Sequence, residues 1–183
     1  QVDPEVYKRI QALHLTGIEC VREEQRLYPN GRLAAHIMGF VGLDNQGLSG
    51  LEYLYDSFLK GSPGRIVVEG DACGNRVISG FKRTLDAAYD GGSIITTIDE
   101  YTQYVSQKYL QQSVEENGAN AGIVIVMDPR TGDVLALASY PDFDPNHWNN
   151  SDNGALKNRV IGDVYEPGST FKIISIASVL EEK

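Results

Sequence analysis

The chain has 183 residues, enough for one sizeable hydrophobic core or two small ones. Its 42% hydrophobic and 22% charged residues are typical of a globular protein, and the net charge of −9 argues against nucleic acid as a main partner. No run approaches the roughly eighteen apolar residues that span a bilayer, and nothing resembles a signal peptide.

The first sixty residues predict short helices and one strand. Residues 4–13 and 33–40 have helical spacing, and residues 17–21 are strand-like. After a glycine-punctuated loop, apolar residues at helical spacing predict a helix over residues 49–59, which a Gly-Ser-Pro-Gly run at 61–64 ends.

A hairpin and a domain boundary are predicted next. Residues 65–69 and 76–79 flank a polar, glycine-containing stretch, as the strands of a hairpin do. A further turn closes this region at Gly92. We therefore expect two domains, residues 1–92 and residues 93–183.

The second part predicts a strand at 94–98, a helix and a second hairpin. Asp99 is placed to cap a helix that ends at Gly118. Two β-rich runs, 121–127 and 133–140, are joined by an Asp-Pro-Arg-Thr-Gly turn typical of antiparallel strands. The apolar positions of the helix are Tyr101, Val105, Leu110 and Val114.

The end of the chain predicts a loop and an apolar helix. Residues 141–158 are polar and are expected to form a loop. Residues 169–180 are almost entirely apolar, which indicates a helix buried between layers.

Ser169 and Lys172 form the strongest candidate catalytic pair. A serine in the first turn of a helix and a lysine three residues later lie on one face, so the amine can reach the hydroxyl. To accept the serine proton near neutral pH, the lysine must be held uncharged, which burial and a helix N-terminus would favour. The backbone N–H of Ser169 could stabilise an oxyanion.

Other short matches to this chemistry have simpler explanations. Ser57 and Lys60 lie at a helix end, and Ser79 and Lys82 lie in a strand–turn region, so both pairs are read as chance. Enzymes that use a Ser-x-x-Lys nucleophile also use a Ser-x-Asn and a Lys-Thr-Gly element. Residues 151–153 and 130–132 superficially match these elements. Both matches precede Ser169, whereas the elements follow the serine in such enzymes, so neither receives a catalytic role.

The histidines and cysteines suggest no metal site or cofactor. His14, His36 and His147 show no ligand spacing. Cys20 and Cys73 lie far apart without a Cys-x-x-Cys motif, and we expect buried thiols.

Several motifs together resemble the class B penicillin-binding proteins. The segment EPGSTFK (166–172) is similar to the active-site segment of that family, and DPRTGDVLA (128–136) and PDFDPN (141–146) resemble its first hairpin and next loop. Upstream, RLYPNG (26–31) and GLSGLE (47–52) resemble its non-catalytic pedestal domain. The structural residues of that pedestal would be Arg26, Tyr28, Gly31, Gly50 and Glu52, with Arg26 and Glu52 as a surface or interdomain ion pair.

The resemblance implies an α+β fold, in which a mixed pedestal domain is followed by the first helix and hairpin of a serine acyltransferase with an incomplete sheet. It also implies a peptidoglycan D,D-transpeptidase that acts on stem peptides and is acylated by β-lactams at Ser169, with Lys172 as base. Such an enzyme works on the extracytoplasmic side of the membrane, where a glycan polymerase is a partner.

The resemblance places further parts of that enzyme outside this chain. The family's membrane anchor would precede Gln1, and its Ser-x-Asn and Lys-Thr-Gly elements would follow Lys183. We expect this fragment to be inactive or nearly so by itself, unless another chain supplies the rest of the transpeptidase domain. Two alternatives stay open: a non-catalytic interaction module for cell-wall partners, and a β-lactamase or β-lactam sensor.

Overall fold

The computed structural model describes residues 2, 4–18, 20, 25–68 and 82–182. Its helices are Pro4–Ala12 (α1), Ala35–Met38 (α2), Gly50–Leu54 (α3), Asp56–Leu59 (α4), Glu100–Glu116 (α5), Asn153–Leu156 (α6), Arg159–Gly162 (α7) and Lys172–Glu181 (α8). Its strands are Arg65–Val68 (β1), Lys82–Asp86 (β2), Gly122–Met127 (β3) and Val134–Tyr140 (β4), and one-turn or irregular 3-10 helices cover Pro145–Asn150 and Gly168–Phe171. This mixture confirms the predicted α+β class.

The helix α5 and the hairpin β3–β4 form one packed unit. Asp99 caps the helix as predicted, because its carboxylate accepts a hydrogen bond from the Thr102 N–H at 2.8 Å. Leu110 and Val114 are buried against Ala138 of β4. Tyr101, predicted to share this apolar face, is 76% exposed instead.

The hairpin β3–β4 is antiparallel, with Gly122 opposite Tyr140 and Ile125 opposite Leu137. The predicted turn is present: the Gly132 N–H donates to the Asp128 carbonyl at 2.8 Å. The far edge of β4 is covered by the start of α5, where the Asp99 N–H donates to the Leu135 carbonyl at 2.9 Å. In the described part of the chain, β3 therefore pairs on one side only.

A second apolar cluster joins early and late segments of the chain. Ala35 and Phe40 pack with Phe143 and Ala155, all four being buried. Phe40 stacks on Trp148 with ring centroids 4.8 Å apart and an interplanar angle of 21°. Residues more than a hundred positions apart thus share one core.

Next to this cluster, two glycines allow two segments of main chain to pack directly against each other. A Cβ at Gly39 would lie 1.8 Å from the Ser49 carbonyl oxygen, and a Cβ at Gly50 would lie 2.5 Å from the Ile37 carbonyl oxygen. Both residues have positive φ, 78° and 59°. Only glycine fits at either position, since any side chain would collide with main chain.

Several predicted elements differ from the structure. Gly17, Ile18 and Cys20 lie in no strand, and the predicted helix over residues 49–59 is broken in two at Tyr55, whose φ and ψ of −113° and 23° are not helical. The predicted strand at 94–98 forms no ladder with any described residue.

The second strand of the first hairpin lies later in the sequence than predicted. The strand β1 is where it was predicted, but its partner is β2, which begins at Lys82; the predicted partner, residues 76–79, lies outside the described residues. The predicted loop 141–158 contains the 3-10 helix Pro145–Asn150 and the short helix α6.

Burial was also mispredicted at two places. Cys20 is exposed rather than buried, and Cys73 lies outside the described residues. The helix α8 forms as predicted, but its side chains are exposed: Ile173 is 71% and Val179 61% accessible. In the described structure, no element packs over this apolar helix to bury it.

Candidate active site

Ser169 and Lys172 are placed by two consecutive helical turns. The 3-10 turn Gly168–Phe171 begins after Pro167, whose carbonyl accepts the Thr170 N–H at 3.0 Å. The Lys172 N–H then donates to the Ser169 carbonyl, and α8 continues from there. A 3-10 turn has about three residues, so side chains three apart are eclipsed and the Ser169 and Lys172 side chains leave the same side of the backbone.

Both side chains are exposed to solvent in this structure. The expected burial of Lys172 is therefore wrong for the described chain, because the apolar residues that follow it on α8 are themselves uncovered. What the structure supplies is the local backbone geometry that brings a hydroxyl and an amine to one face.

The segment that leads to Ser169 is anchored as far as Asp163. Its carboxylate binds both the Lys157 amine and the Arg159 guanidinium, the latter at 3.0 Å. These hydrogen bonds hold the pKa of Asp163 below its usual value. After this point Val164 and Tyr165 are exposed. The segment between Asp163 and Ser169 is therefore anchored at its Asp163 end.

The pedestal motif residues converge on a partly buried ion pair. Arg26 Nε lies 2.7 Å from Glu52 Oε1, and the Glu52 side chain is only 5% exposed. The predicted ion pair is therefore present, but it joins two early segments, and only its arginine lies at the surface while Glu52 is buried. Burial and the nearby Glu52 charge raise the pKa of the Tyr28 phenol.

The three histidines occupy three different environments. His36 is buried, with Nε2 2.7 Å from the Ala155 carbonyl oxygen, and burial lowers its pKa. His147 Nδ1 lies 3.0 Å from Asp144, and this contact lowers the pKa of Asp144. His14 is exposed just after α1.

The other short motifs lie where local structure explains them. Ser57 is in α4 and Lys60 caps its end, while Lys82 begins β2 and Ser79 lies outside the described residues. Arg130 pairs with Asp128 inside the hairpin turn, and residues 151–153 lead into α6.

Two glutamines of α5 that the sequence patterns did not single out tie this helix to other segments, Gln103 to β4 and Gln107 to the segment before α2. Gln103 is 1% exposed and bonds both the N–H and the carbonyl of Leu137, at 2.8 and 2.9 Å. Gln107 accepts from the Ala34 N–H at 2.9 Å and donates to the Arg32 carbonyl at 3.0 Å. A signal was available, since both glutamines fall on the helical stripe that continues through the buried residues Leu110 and Val114.

Asn146 and Asp142 extend the same junction. The Asn146 amide bonds the N–H and the carbonyl of Tyr28, each at 2.9 Å. The Asp142 carboxylate receives Arg32 Nη1 at 2.7 Å. The PDFDPN segment thus holds the RLYPNG segment through its backbone.

Comparison with known proteins identifies the family. A family model described as the penicillin-binding protein dimerisation domain matches residues 1–94, more than half of the chain, and one described as the penicillin-binding protein transpeptidase domain matches residues 122–183. The chain belongs to the class B penicillin-binding proteins. The second match includes the candidate pair Ser169 and Lys172.

Individual class B relatives match the chain over almost its whole length. It is 37% identical to the peptidoglycan D,D-transpeptidase FtsI of Escherichia coli over 99% of this chain, and 36% identical to stage V sporulation protein D of Bacillus subtilis over all of it. The solved structure of penicillin-binding protein 3 from Mycobacterium tuberculosis complexed with aztreonam matches 87% of the chain at 31% identity, with a TM-score of 0.66.

The chain spans about 30% of the length of these relatives, 30% of FtsI and 32% of the mycobacterial chain. Among the described residues, none of the helices is both long and apolar enough to cross a bilayer.

Proposed function

We propose that this chain carries the nucleophile and the base of a peptidoglycan D,D-transpeptidase, Ser169 and Lys172. The observation that supports the proposal best is the 3-10 turn into α8, which sets the two side chains on one face within the segment matched by the transpeptidase family model. Within this proposal, residues 1–92 form the pedestal domain and residues 93–183 begin the transpeptidase domain.

In the proposed reaction, Ser169 Oγ attacks the carbonyl carbon of the penultimate D-alanine of a stem peptide. Lys172 takes the hydroxyl proton and returns it to the amine of the terminal D-alanine, which leaves as the peptide bond breaks. The acyl group stays on Ser169 as an ester until the amine of a neighbouring stem peptide attacks it, completes the crosslink and restores the serine.

The exposure of α8 indicates what else the reaction needs. Burial in apolar surroundings favours the neutral form of a lysine side chain, which is the form that acts as a base. We propose that parts of the fold present in the longer relatives and outside this chain bury α8 and complete the site. The 183-residue chain should accordingly be acylated slowly or not at all.

The setting proposed for the whole protein is the extracytoplasmic face of the bacterial membrane, reached through an N-terminal anchor. There it would meet stem peptides and a membrane glycan polymerase. β-Lactams would acylate Ser169 as their ring opens and remain bound as the acyl group. The structure of the mycobacterial relative in complex with aztreonam supports this expectation.

Intact-mass analysis after incubation with benzylpenicillin tests the proposal on the full-length gene product. We expect one covalent adduct, its loss in Ser169→Ala and its retention in Ser57→Ala, a matched control in another Ser-x-x-Lys. Lys172→Arg should form the adduct much more slowly, since a guanidinium does not give up its proton.

An adduct that survives in Ser169→Ala would refute the assignment of the nucleophile. A full-length protein that forms no adduct while its relatives react under the same conditions would refute the transpeptidase proposal. Rapid hydrolysis of the adduct would point to a β-lactamase instead.

A further inference from the structure

A groove runs along the N-terminal end of α5. It consists of two adjoining cavities, a smaller, partly open one of about 280 Å³ and a larger, more open one of about 440 Å³. Leu33 and Glu100 line both cavities and mark where they meet. We name these two cavities together the α5 groove.

The smaller cavity of the α5 groove is largely apolar. Its walls include Pro29, Ile37 and Met38 from the segment around α2, and Ile98 from the segment before α5. Its volume lies at the lower limit of sites for small molecules, so it is suited to one or two side chains rather than a cofactor. Methionine adapts its shape to different apolar occupants.

The larger, more open cavity is acidic and aromatic. Asp99, Glu100, Tyr101 and Tyr104 line it together with Leu33. The Asp99 carboxylate is occupied by Thr102, whereas Glu100 forms no ion pair or hydrogen bond with any described residue. Neither cavity has a lysine, arginine or histidine among its lining residues in the part of the chain that the structure describes.

The main chain beside the groove is also available. Within the described structure, residues 94–98 make no backbone–backbone hydrogen bond. Thr96 and Ile98 from this segment line the smaller cavity, and Ile95 is 98% exposed. Free N–H and carbonyl groups next to side-chain pockets are what an extended peptide uses when it binds through its main chain.

We propose that the α5 groove docks a short segment of a partner protein, in which an apolar side chain enters the smaller cavity and an arginine binds in the larger, more open one. Charge complementarity selects this occupant: the free Glu100 carboxylate would receive the guanidinium, and the faces of Tyr101 and Tyr104 would stack on it. The chain's net charge of −9 favours a basic partner over an acidic one.

Arginine fits this cavity better than lysine does. Its planar guanidinium can pair with a carboxylate through two hydrogen bonds and stack on an aromatic ring at the same time. Both tyrosines are accessible for that contact, Tyr101 at 76% and Tyr104 at 52%. The proposal does not depend on the chemistry of Ser169.

Selection of a random nonapeptide display library on the 183-residue chain tests this docking site. We expect the enriched peptides to combine one arginine with an apolar residue nearby. For a selected peptide, Glu100→Gln should weaken binding about tenfold and Tyr104→Ala about threefold. Glu116→Gln, a matched change at the other end of the same helix, should alter binding by less than about twofold.

Four outcomes would overturn the proposal. The first is enrichment of no peptide, or only of peptides without a basic residue. The second is binding that Glu100→Gln leaves unchanged. The third is self-association of the chain, seen by sedimentation and lost in Glu100→Gln, which would make a second copy the occupant. Binding by this chain but not by the full-length gene product would likewise replace the partner with the protein's own segment.

Discussion

His36 is a buried titratable residue at the contact between the early and late segments. Its Nε2 lies 2.7 Å from the Ala155 carbonyl oxygen, which requires an N–H on that nitrogen, and desolvation lowers its pKa below the ordinary 6.5 despite that hydrogen bond. The nearby charges oppose each other, Asp142 favouring the protonated ring and Arg159 disfavouring it. The neutral ring is therefore the form that packs in the folded chain.

We expect the free energy of unfolding to fall as the pH drops from about 7 to about 5. Below pH 6.5 the unfolded chain takes up a proton on this histidine before the folded chain does, so acid favours unfolding until the folded state is protonated too. Urea unfolding across this range measures the slope.

His36→Gln keeps a hydrogen-bond donor for Ala155 and removes the titration, so it should flatten that slope. His14→Gln, on an exposed residue, should leave the slope as it is. Equal slopes in the parent chain and His36→Gln would contradict the role given to His36.

The Arg26–Glu52 pair gives a second prediction for single residues. Arg26→Ala leaves a carboxylate whose side chain is 5% exposed without its partner, and we expect unfolding to become easier by about 1–3 kcal/mol. Urea unfolding of the variant measures this. Arg130→Ala removes a guanidinium that is 86% exposed and should change stability measurably less; a larger effect there would show that burial of Glu52 is not the cause.

Among the secondary-structure elements, α5 holds β4 through the Gln103 side chain. Gln103→Ala would leave the N–H and the carbonyl of Leu137 without these partners at a partly buried position, at a cost of about 2–4 kcal/mol in unfolding free energy. Gln111→Ala is a suitable control, because Gln111 is exposed and bonds only Glu115 on the same helix. Similar destabilisation by the two variants would argue against a special role for Gln103.

The sequence predicts elements well where local chemistry decides them. The cap at Asp99 and the turn at 128–132 were predicted because a short side chain, a proline and a glycine fix the backbone within a few residues. The helical turn at Ser169 was predicted for the same reason, since three-residue spacing is a local property. The catalytic role of Ser169 and Lys172 stays a prediction.

The sequence predicts strand pairing and burial less well, because these depend on residues that are distant along the chain. Residues 94–98 have the β-branched composition of a strand, but a ladder needs a second segment, and none of the described residues supplies one. The composition of α8 indicates burial, which depends on what covers the helix and not on the helix itself. Gln103 was missed because a polar residue on an apolar stripe is explained only by its partner, Leu137.

On the scale of the whole molecule, stability is unevenly distributed. The helix α5 has seventeen residues and buries Leu110 and Val114 against the sheet, whereas α8 has ten residues and none of them buried. An isolated helix shorter than roughly 12–15 residues is marginal in water.

Hydrogen exchange should therefore separate the two helices in the 183-residue chain. We expect the amides of α8 to exchange orders of magnitude faster than those in the middle of α5, because none of the α8 residues is buried in the described structure. Mass spectrometry of peptic fragments reports both helices in one experiment. Equal protection would mean that α8 is covered, by self-association or otherwise, in solution.

The close backbone approach at Gly39 and Gly50 limits which substitutions these two positions can accept. Each glycine lies against the other segment's backbone, so replacing one cannot be rescued by trimming a neighbouring side chain. Gly132 also has positive φ, 81°, but nothing lies within 4 Å of its missing Cβ, so asparagine or aspartate could stand there at modest cost. Among descendants of this gene, positions 39 and 50 should both stay glycine, whereas position 132 should accept substitutions.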